Sequence, residues 1–472
     1  MKKFFLVFTI IIVIISLGSI FIGNTDNRTI LKVKNSVPQN FKDFLGNNIF
    51  FVFKLNNEIS NLKKINKRLE EKINLLEYNS YQLQRIQNIK NHDITKNQSI
   101  LPVTSELEVF DEDKKSYKLT KYYLPSIPWQ LNDRKPGGYL YEFDNKIFVL
   151  SGEGEINFIE LDKIGDNNII LNRISSNIRE IVDDPIIYSK SRFGFRGIMI
   201  NDKKIYLSYQ KKIENNCYNI AIISGNLDFE YVEFKDFFSF KECSPKMSNH
   251  TGGKMVPYDG ESFLFTIGDG QMFKDVQNDK SLWGKLVQIN YVSKNFTLIA
   301  KGMRDTQGAY YHKKSDVLLM TEHGPQGGDE INVLRKSDFY DYKNFGWPVA
   351  SYGKVEYNII EELKYSNHEE NGFQEPVYWY KKNSVAPSAI VNVDGFFKNS
   401  ERDFFMSAMG NTPAPGRRSI HHLRFDKNFN EIEYINIIPI GERIRDLIYI
   451  KDINQVVMIL ENTPSIAFIE NL

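Results

Sequence analysis

Cysteine is nearly missing from this chain: Cys217 and Cys243 are the two in 472 residues. No second Cys/His pair stands at ligand spacing, which excludes a zinc site. Net charge is nearly missing as well, since 60 Lys and Arg against 59 Asp and Glu leave +1. Nothing in that balance points to nucleic acid or to an acidic surface. Proline is modest at 16 residues, whereas 34 Phe and 25 Tyr suit a β-rich body. Outside residues 55–90 no long amphipathic helix stands out. At 42% apolar content the chain is long enough for one large domain with appendages.

Residues 4–23 carry no charge and match in length a helix crossing a hydrocarbon core of about 30 Å. Lys2 and Lys3 before them favour a cytoplasmic N-terminus, while Arg28, Lys32 and Lys34 lie on the far side. Residues 1–24 are therefore expected to be a single-pass anchor in the inner (cytoplasmic) membrane, with the body in the periplasm. A cleaved signal peptide is the competing reading, with a shorter apolar region and an A-x-A site as its marks. After a linker at 25–54, Leu55, Leu62, Leu69, Leu76 and Leu83 recur every seventh residue, with Ile59, Asn66, Ile73 and Ser80 at the paired positions. Leu at d with Ile at a, and one Asn at a, predict a parallel two-stranded coiled coil over 55–90, hence a homodimer. Glu58 would face Lys63 of the second copy, and Lys72 would face Glu77. The alternative is an amphipathic helix lying on its own globular body.

Residues 91–125 are polar and irregular and read as linker and docking strand. From 126 to 472, strand pairs recur: 138–143 with 146–150, 197–200 with 204–209, 253–256 with 262–266, and 309–311 with 317–320. Short strands, Asp/Asn/Lys turns and a repeat of roughly 50–60 residues predict propeller blades around an axis. Downstream of an export-type segment, Cys217 and Cys243 are expected to form a disulfide, stabilising the fold by roughly 3–4 kcal/mol on the chain-entropy model. Two buried free thiols are the other reading.

The stretch around which the body is organised runs from Thr321 to Pro348. A strand ends at Glu322, and His323-Gly-Pro-Gln-Gly-Gly328 follows as a shaped loop. Such a loop can turn carbonyls toward a ligand, and Asp329 and Glu330 come next. Carbonyls and carboxylates are what a hard cation such as calcium selects; a glycine-rich hairpin with a solvated acidic pair is the bland alternative.

E-H-G-P-x-G-G-D-E-I-N, followed by Asn344-Phe-Gly-Trp-Pro348, resembles the signature of the glucose/sorbosone dehydrogenase family. Collinear motifs extend the resemblance: Gly194-Phe-Arg-Gly197, His250-Thr-Gly-Gly253, Thr266-Ile-Gly-Asp269, Gly284 to Asn290, Arg304-Asp-Thr-Gln-Gly308, Val385-Ala-Pro-Ser388 and Arg443-Ile-Arg-Asp446. The resemblance implies an all-β, six-bladed β-propeller that uses pyrroloquinoline quinone (PQQ) and calcium to oxidise a sugar or other small polyol. It implies His250 as general base, Gly252 and Gly253 admitting a flat ligand, and the Gly324 and Pro325 carbonyls on calcium. Arg304, Arg443 and Arg445 would meet the three carboxylates of PQQ, because arginine binds carboxylates in bidentate fashion. Arg445 with Asp446 can also be read as a structural salt bridge. Arg417, with Arg418, falls where the family has a cofactor-contacting lysine. Two departures complete the expected cofactor set: Asn249 where the family often has an aspartate, and Arg192 where a glutamine is expected. Two further readings stay open, a non-catalytic propeller binding glycans or envelope partners, and a metal-dependent lactonase-type hydrolase.

Overall fold

The computed structural model describes residues 40, 58–66, 69, 97–100, 102–124, 137–164, 169–182, 184, 194–353, 368–381, 384–398, 401–411 and 414–472. The chain divides into two units, Met1–Gln82 and Leu83–Leu472. In the first, residues 58–66 are helical, with Ile59 43% and Leu62 61% exposed, so the apolar seam is unburied there. Leu69 is exposed as well; the remainder of the expected coiled coil, and the whole of the expected anchor at 4–23, lie outside the described residues. Among the described residues no helix is long and apolar enough to cross a membrane.

Among the described residues the second unit forms six sheets whose blade strands pair antiparallel, with the short strands Tyr231–Val232 and Lys343–Asn344 added in parallel to two of them. Blade 1 runs Gly138–Phe143, Lys146–Ser151, Ile156–Glu160, Ile169–Ser176, and blade 2 runs Phe195–Asn201, Lys204–Glu214, Cys217–Asn226, Lys235–Phe238. Blade 3 comprises Gly252–Pro257, Ser262–Ile267, Lys285–Asn290 and Phe296–Lys301; blade 4 comprises Thr306–His312, Val317–Glu322, Glu330–Arg335 and Tyr378–Trp379. Pro387–Asn392, Asp403–Ala408, Ser419–Phe425 and Ile432–Pro439 form blade 5. Blade 6 takes Ile444–Ile450, Gln455–Leu460 and Ser465–Asn471 from the C-terminus, and Ser116–Tyr123 and Pro102–Phe110 from far upstream. The first strand of each blade contacts that of the next, and blade 6 returns to blade 1, so the ring closes.

The expected pairs are the first two strands of blades 1 to 4. Their tight turns have the predicted chemistry: Asp144-Asn145 and Asp202-Lys203 all adopt positive φ, the two-residue hairpin geometry that matches strand twist. The stretch read as linker and docking strand supplies three strands, with Asn97–Ile100 on blade 1 and two more in blade 6. Tyr123 pairs with Ser465 and Tyr117 with Asn471, so both ends of the propeller are zipped into one sheet.

The inner strands of the blades pack on both faces, which explains their near-continuous apolar character. In Ser262–Ile267, Phe263 and Phe265 enter the layer shared with blade 2, while Leu264 enters the layer shared with blade 4. Analogous layers separate the other neighbours, for example Val317 and Leu319 of blade 4 against Phe404 and Met406 of blade 5. Cys217 and Cys243 form a disulfide that ties the second hairpin of blade 2 to the segment leading to His250. Beside it, Tyr218 and Ser244 exchange backbone hydrogen bonds of 2.9 and 2.7 Å.

Candidate active site

In an up-and-down blade, the start of the first strand and the loop between the second and third lie at the same end of the axis. That rule collects the functional side chains. Asn249 and His250 precede the first strand of blade 3, Arg304 and Asp305 that of blade 4, Ser384 and Ala386 that of blade 5, and Arg443 that of blade 6. His323, Gly324 and Pro325 follow the second strand of blade 4, and Met409 to Asn411 that of blade 5. Together with Arg196, Arg417 and Arg445 they line one cavity of about 320 Å³, within the range of small-molecule sites. Of the expected residues, Asn249, His250, Arg304, Gly324, Pro325, Arg417, Arg443 and Arg445 meet there, whereas Gly252, Gly253 and Arg418 do not line the cavity. Arg192 lies outside the described residues.

His250 is held at both ring nitrogens. Nδ1 lies 3.1 Å from Asp269 Oδ1, and Nε2 lies 3.2 Å from Arg304 Nη2. Arg304 is a donor without a lone pair, so Nε2 is the unprotonated nitrogen and Nδ1–H points to the carboxylate. Asp269 is fully buried and also accepts Trp347 Nε1–H at 2.8 Å and the Gln271 backbone N–H at 2.8 Å. The neighbouring position, Asn249, faces the cavity but is not the carboxylate partner. Asp269 takes that part from 19 residues downstream. Sequence reasoning passed over it, although it closes the quoted Thr266-Ile-Gly-Asp269 motif.

Arg304 donates from Nη1 to the His323 carbonyl at 2.9 Å and lies over the Trp347 ring at 5.4 Å. Its Nε is buried without a hydrogen-bond partner among the described residues. Beneath its turn, Glu322 accepts the Arg304 N–H at 2.8 Å and the Thr306 hydroxyl at 2.5 Å. Burial pushes the Glu322 carboxyl up to about 8 despite those bonds. Arg443 and Arg445 share one buried carboxylate, Glu461, at 2.8 and 2.6 Å. Burial acts to lower Arg445, but the Glu461 charge outweighs it and raises the guanidinium above its usual range. The reading of Arg445 with Asp446 as an ion pair is thereby corrected, since Asp446 bonds to Lys254 and the Leu140 N–H instead. Two guanidiniums on one carboxylate leave a net positive charge facing the cavity. Arg417 donates from Nε to the Ser384 carbonyl at 2.7 Å.

The glycine-rich loop is fixed from below. Asp329 is fully buried and accepts the Gly324 N–H at 2.9 Å, the Ser384 hydroxyl at 2.7 Å and the Ala386 N–H at 2.7 Å. Asp329 and Glu330 thus form no solvated pair, and neither lines the cavity. Gly328 has φ +67, and a Cβ there would stand 2.1 Å from Gly353 N. Among the described residues no group of three or more His, Cys, Asp or Glu side chains is placed to hold a metal ion. Gly252 and Gly253 serve a different close approach from the one expected: a Cβ on Gly253 would come within 2.4 Å of Arg196 Cβ, on the neighbouring blade.

The sequence model of the glucose/sorbosone dehydrogenase family matches residues 141–466. The chain belongs to that family. Aldose sugar dehydrogenase YliI of Escherichia coli (strain K12) is 30% identical over 234 residues, which cover 45% of this chain and 61% of that protein. A Synechocystis protein is 28% identical over 48% of this chain and 56% of its own length. The chain thus spans less than two thirds of these relatives. Among solved family folds, the apo-form aldose sugar dehydrogenase of Escherichia coli superposes with a TM-score of 0.56 at 17% identity, covering 78% of this chain and 99% of that one. The PQQ-bound aldose sugar dehydrogenase of Streptomyces coelicolor gives a TM-score of 0.51 at 17% identity, covering 75% and 98%. At such identities these likenesses establish the six-bladed fold.

Proposed function

We propose that this family member is a PQQ-dependent sugar dehydrogenase that oxidises a sugar hydroxyl to a lactone or related carbonyl. The observation that carries the reading is the meeting of the His250–Asp269 pair with Arg196, Arg304, Arg417, Arg443 and Arg445 around one cavity. The donor set suits a polycarboxylate: Arg304 donates to an uncharged acceptor, and Arg443 and Arg445 share a single glutamate. Arg304 Nε, buried and without a partner among the described residues, is a donor that such a ligand can satisfy. PQQ, when bound, supplies a quinone able to accept a hydride from the sugar carbon.

The chain's own contribution is proton transfer and orientation. In this reading the substrate hydroxyl replaces the Arg304 N–H at His250 Nε2, Nε2 then takes the hydroxyl proton, and Asp269 stabilises the imidazolium that results. The Gly324 and Pro325 carbonyls are the groups offered to calcium, and hard-cation chemistry suits them. Residues 4–23 as a membrane anchor, a periplasmic propeller and pairing of two copies through 55–90 belong to the same reading, supported by the apolar run and the heptad pattern.

Purified protein mixed with PQQ and calcium should show bound-cofactor absorbance and reduce an artificial electron acceptor when an aldose is added. His250→Ala should cut turnover by roughly 10²–10⁴-fold while retaining cofactor binding. Absence of cofactor absorbance would leave a binding propeller as the better description.

A further inference from the structure

Arg196 does not belong to the catalytic set expected from sequence, yet it touches the His250 loop on both sides of the histidine. From the first strand of blade 2, its Nη2 donates to the Ser248 carbonyl at 3.3 Å and the Asn249 carbonyl at 3.0 Å. Its Nε donates to the Thr251 hydroxyl at 3.0 Å. His250 is the residue enclosed by these contacts, and its own N–H donates to Ser248 Oγ at 3.0 Å. The side chain is 5% exposed, so the contacts sit in a low-dielectric setting where charge-assisted bonds are strong. Bare backbone at Gly253 makes room for it, with φ +103 and no Cβ to strike Arg196. On the far side of the loop the Cys217–Cys243 disulfide and the Ser248 N–H bond to Gln210 Oε1 at 3.0 Å hold the approach to the same turn.

We infer that Arg196 is the positioning residue for His250. It fixes the backbone from 248 to 251 and thereby the direction in which the imidazole meets both Asp269 and the cavity. The inference rests on the proposed role of His250 but concerns a geometry that exists without cofactor. A planar guanidinium bonds in two directions at once; a lysine ammonium on a flexible stem cannot hold the same three acceptors in register. A shift of about 1 Å in a reacting group costs on the order of 10²-fold in rate.

The test compares Arg196→Lys and Arg196→Ala with the wild type. In cofactor-free protein labelled at histidine, the His250 ring ¹⁵N shifts, assigned with His250→Ala, report whether Nδ1 still carries the proton. Both variants should alter those shifts, lower kcat by about 10²-fold with little change in KM, and keep a cooperative thermal transition. Added methylguanidinium should restore part of the Arg196→Ala loss. Unchanged His250 shifts in both variants would overturn the inference and leave Arg196 as a strut between blades. Should the wild type show no PQQ-dependent turnover, the functional reading fails while the ring shifts still decide the role of Arg196.

Discussion

Lys254 Nζ lies 3.0 Å from Asp446 Oδ1, an ion pair joining the first strands of blades 3 and 6. In a closed ring of six these blades are opposite one another, so the pair spans the axis. Asp446 Oδ2 also accepts the Leu140 N–H of blade 1 at 3.0 Å. A side chain in this position ties three blades together beneath the cavity.

Removing the cation alone leaves the Asp446 carboxylate, which is 2% exposed, with the Leu140 backbone amide as its remaining bond among the described residues. Lys254→Met should therefore lower stability by about 2–3 kcal/mol, below the full cost of breaking a buried pair because Lys254 is partly solvated. Lys254→Met with Asp446→Asn should recover a good part of that, since the amide oxygen can still accept from Leu140. Urea denaturation of the two variants measures this; equal losses would mean that the lysine charge is not what Asp446 requires.

Asp269 is the second point of leverage. Asp269→Asn keeps the size of the side chain but lets the His250 ring adopt the wrong tautomer, because an amide can donate to Nδ1 as readily as accept from it. If the chain is the proposed dehydrogenase, turnover should fall by roughly 10²-fold or more, with the folded state and the Trp347 environment largely retained. Steady-state kinetics beside tryptophan fluorescence checks it. Near-normal turnover would show that Asp269 holds Trp347 and the Gln271 turn without serving the base.

The strand pairs of blades 1 to 4 and the loop motifs were legible because they are local: turn chemistry and two-sided apolar strands leave a mark within a dozen residues. What the sequence concealed depends on contacts between strands and loops that are separate along the chain. Asp269 reaches His250 because Gly270 N–H donates to the His250 carbonyl at 2.7 Å and Gly268 N–H to the Thr251 carbonyl at 3.0 Å, bonds that no motif spacing announces. Glu461 follows the second strand of blade 6 with no signature of its own, and only the fold sets it between Arg443 and Arg445. Ser116–Tyr123 belongs to a stretch read as linker because its partner strand is at the other end of the chain. The glycines at 252 and 253 were readable as a place of close approach, but what approaches Gly253 is Arg196 of the neighbouring blade, and what approaches Gly252 is the Thr266–Gly268 backbone of its own blade.

The loop that presents Arg417 supplies a prediction about acid. His421 lies beneath it, with Nε2–H donating to the Gly416 carbonyl at 2.6 Å and Nδ1 accepting the Tyr380 hydroxyl at 2.7 Å. Burial drives the imidazole down to about 4, the Gly416 carbonyl acting weakly in the other direction. The folded state thus binds fewer protons than the unfolded state between about 6.5 and 4, so the stability His421 contributes is present above that window and is lost as pH falls through it. The full loss is on the order of 3 kcal/mol. Glu322 and Glu330, raised to about 8 chiefly by burial, slope the opposite way: their contribution is complete below their ordinary range and fades as pH rises toward 8. The difference between wild type and His421→Gln separates the two effects, because glutamine keeps a donor and an acceptor but does not titrate. Melting temperatures followed from pH 7 to pH 4 should fall less steeply in His421→Gln. Parallel curves would mean that the loop tolerates a charged imidazole and that acid acts on the propeller elsewhere.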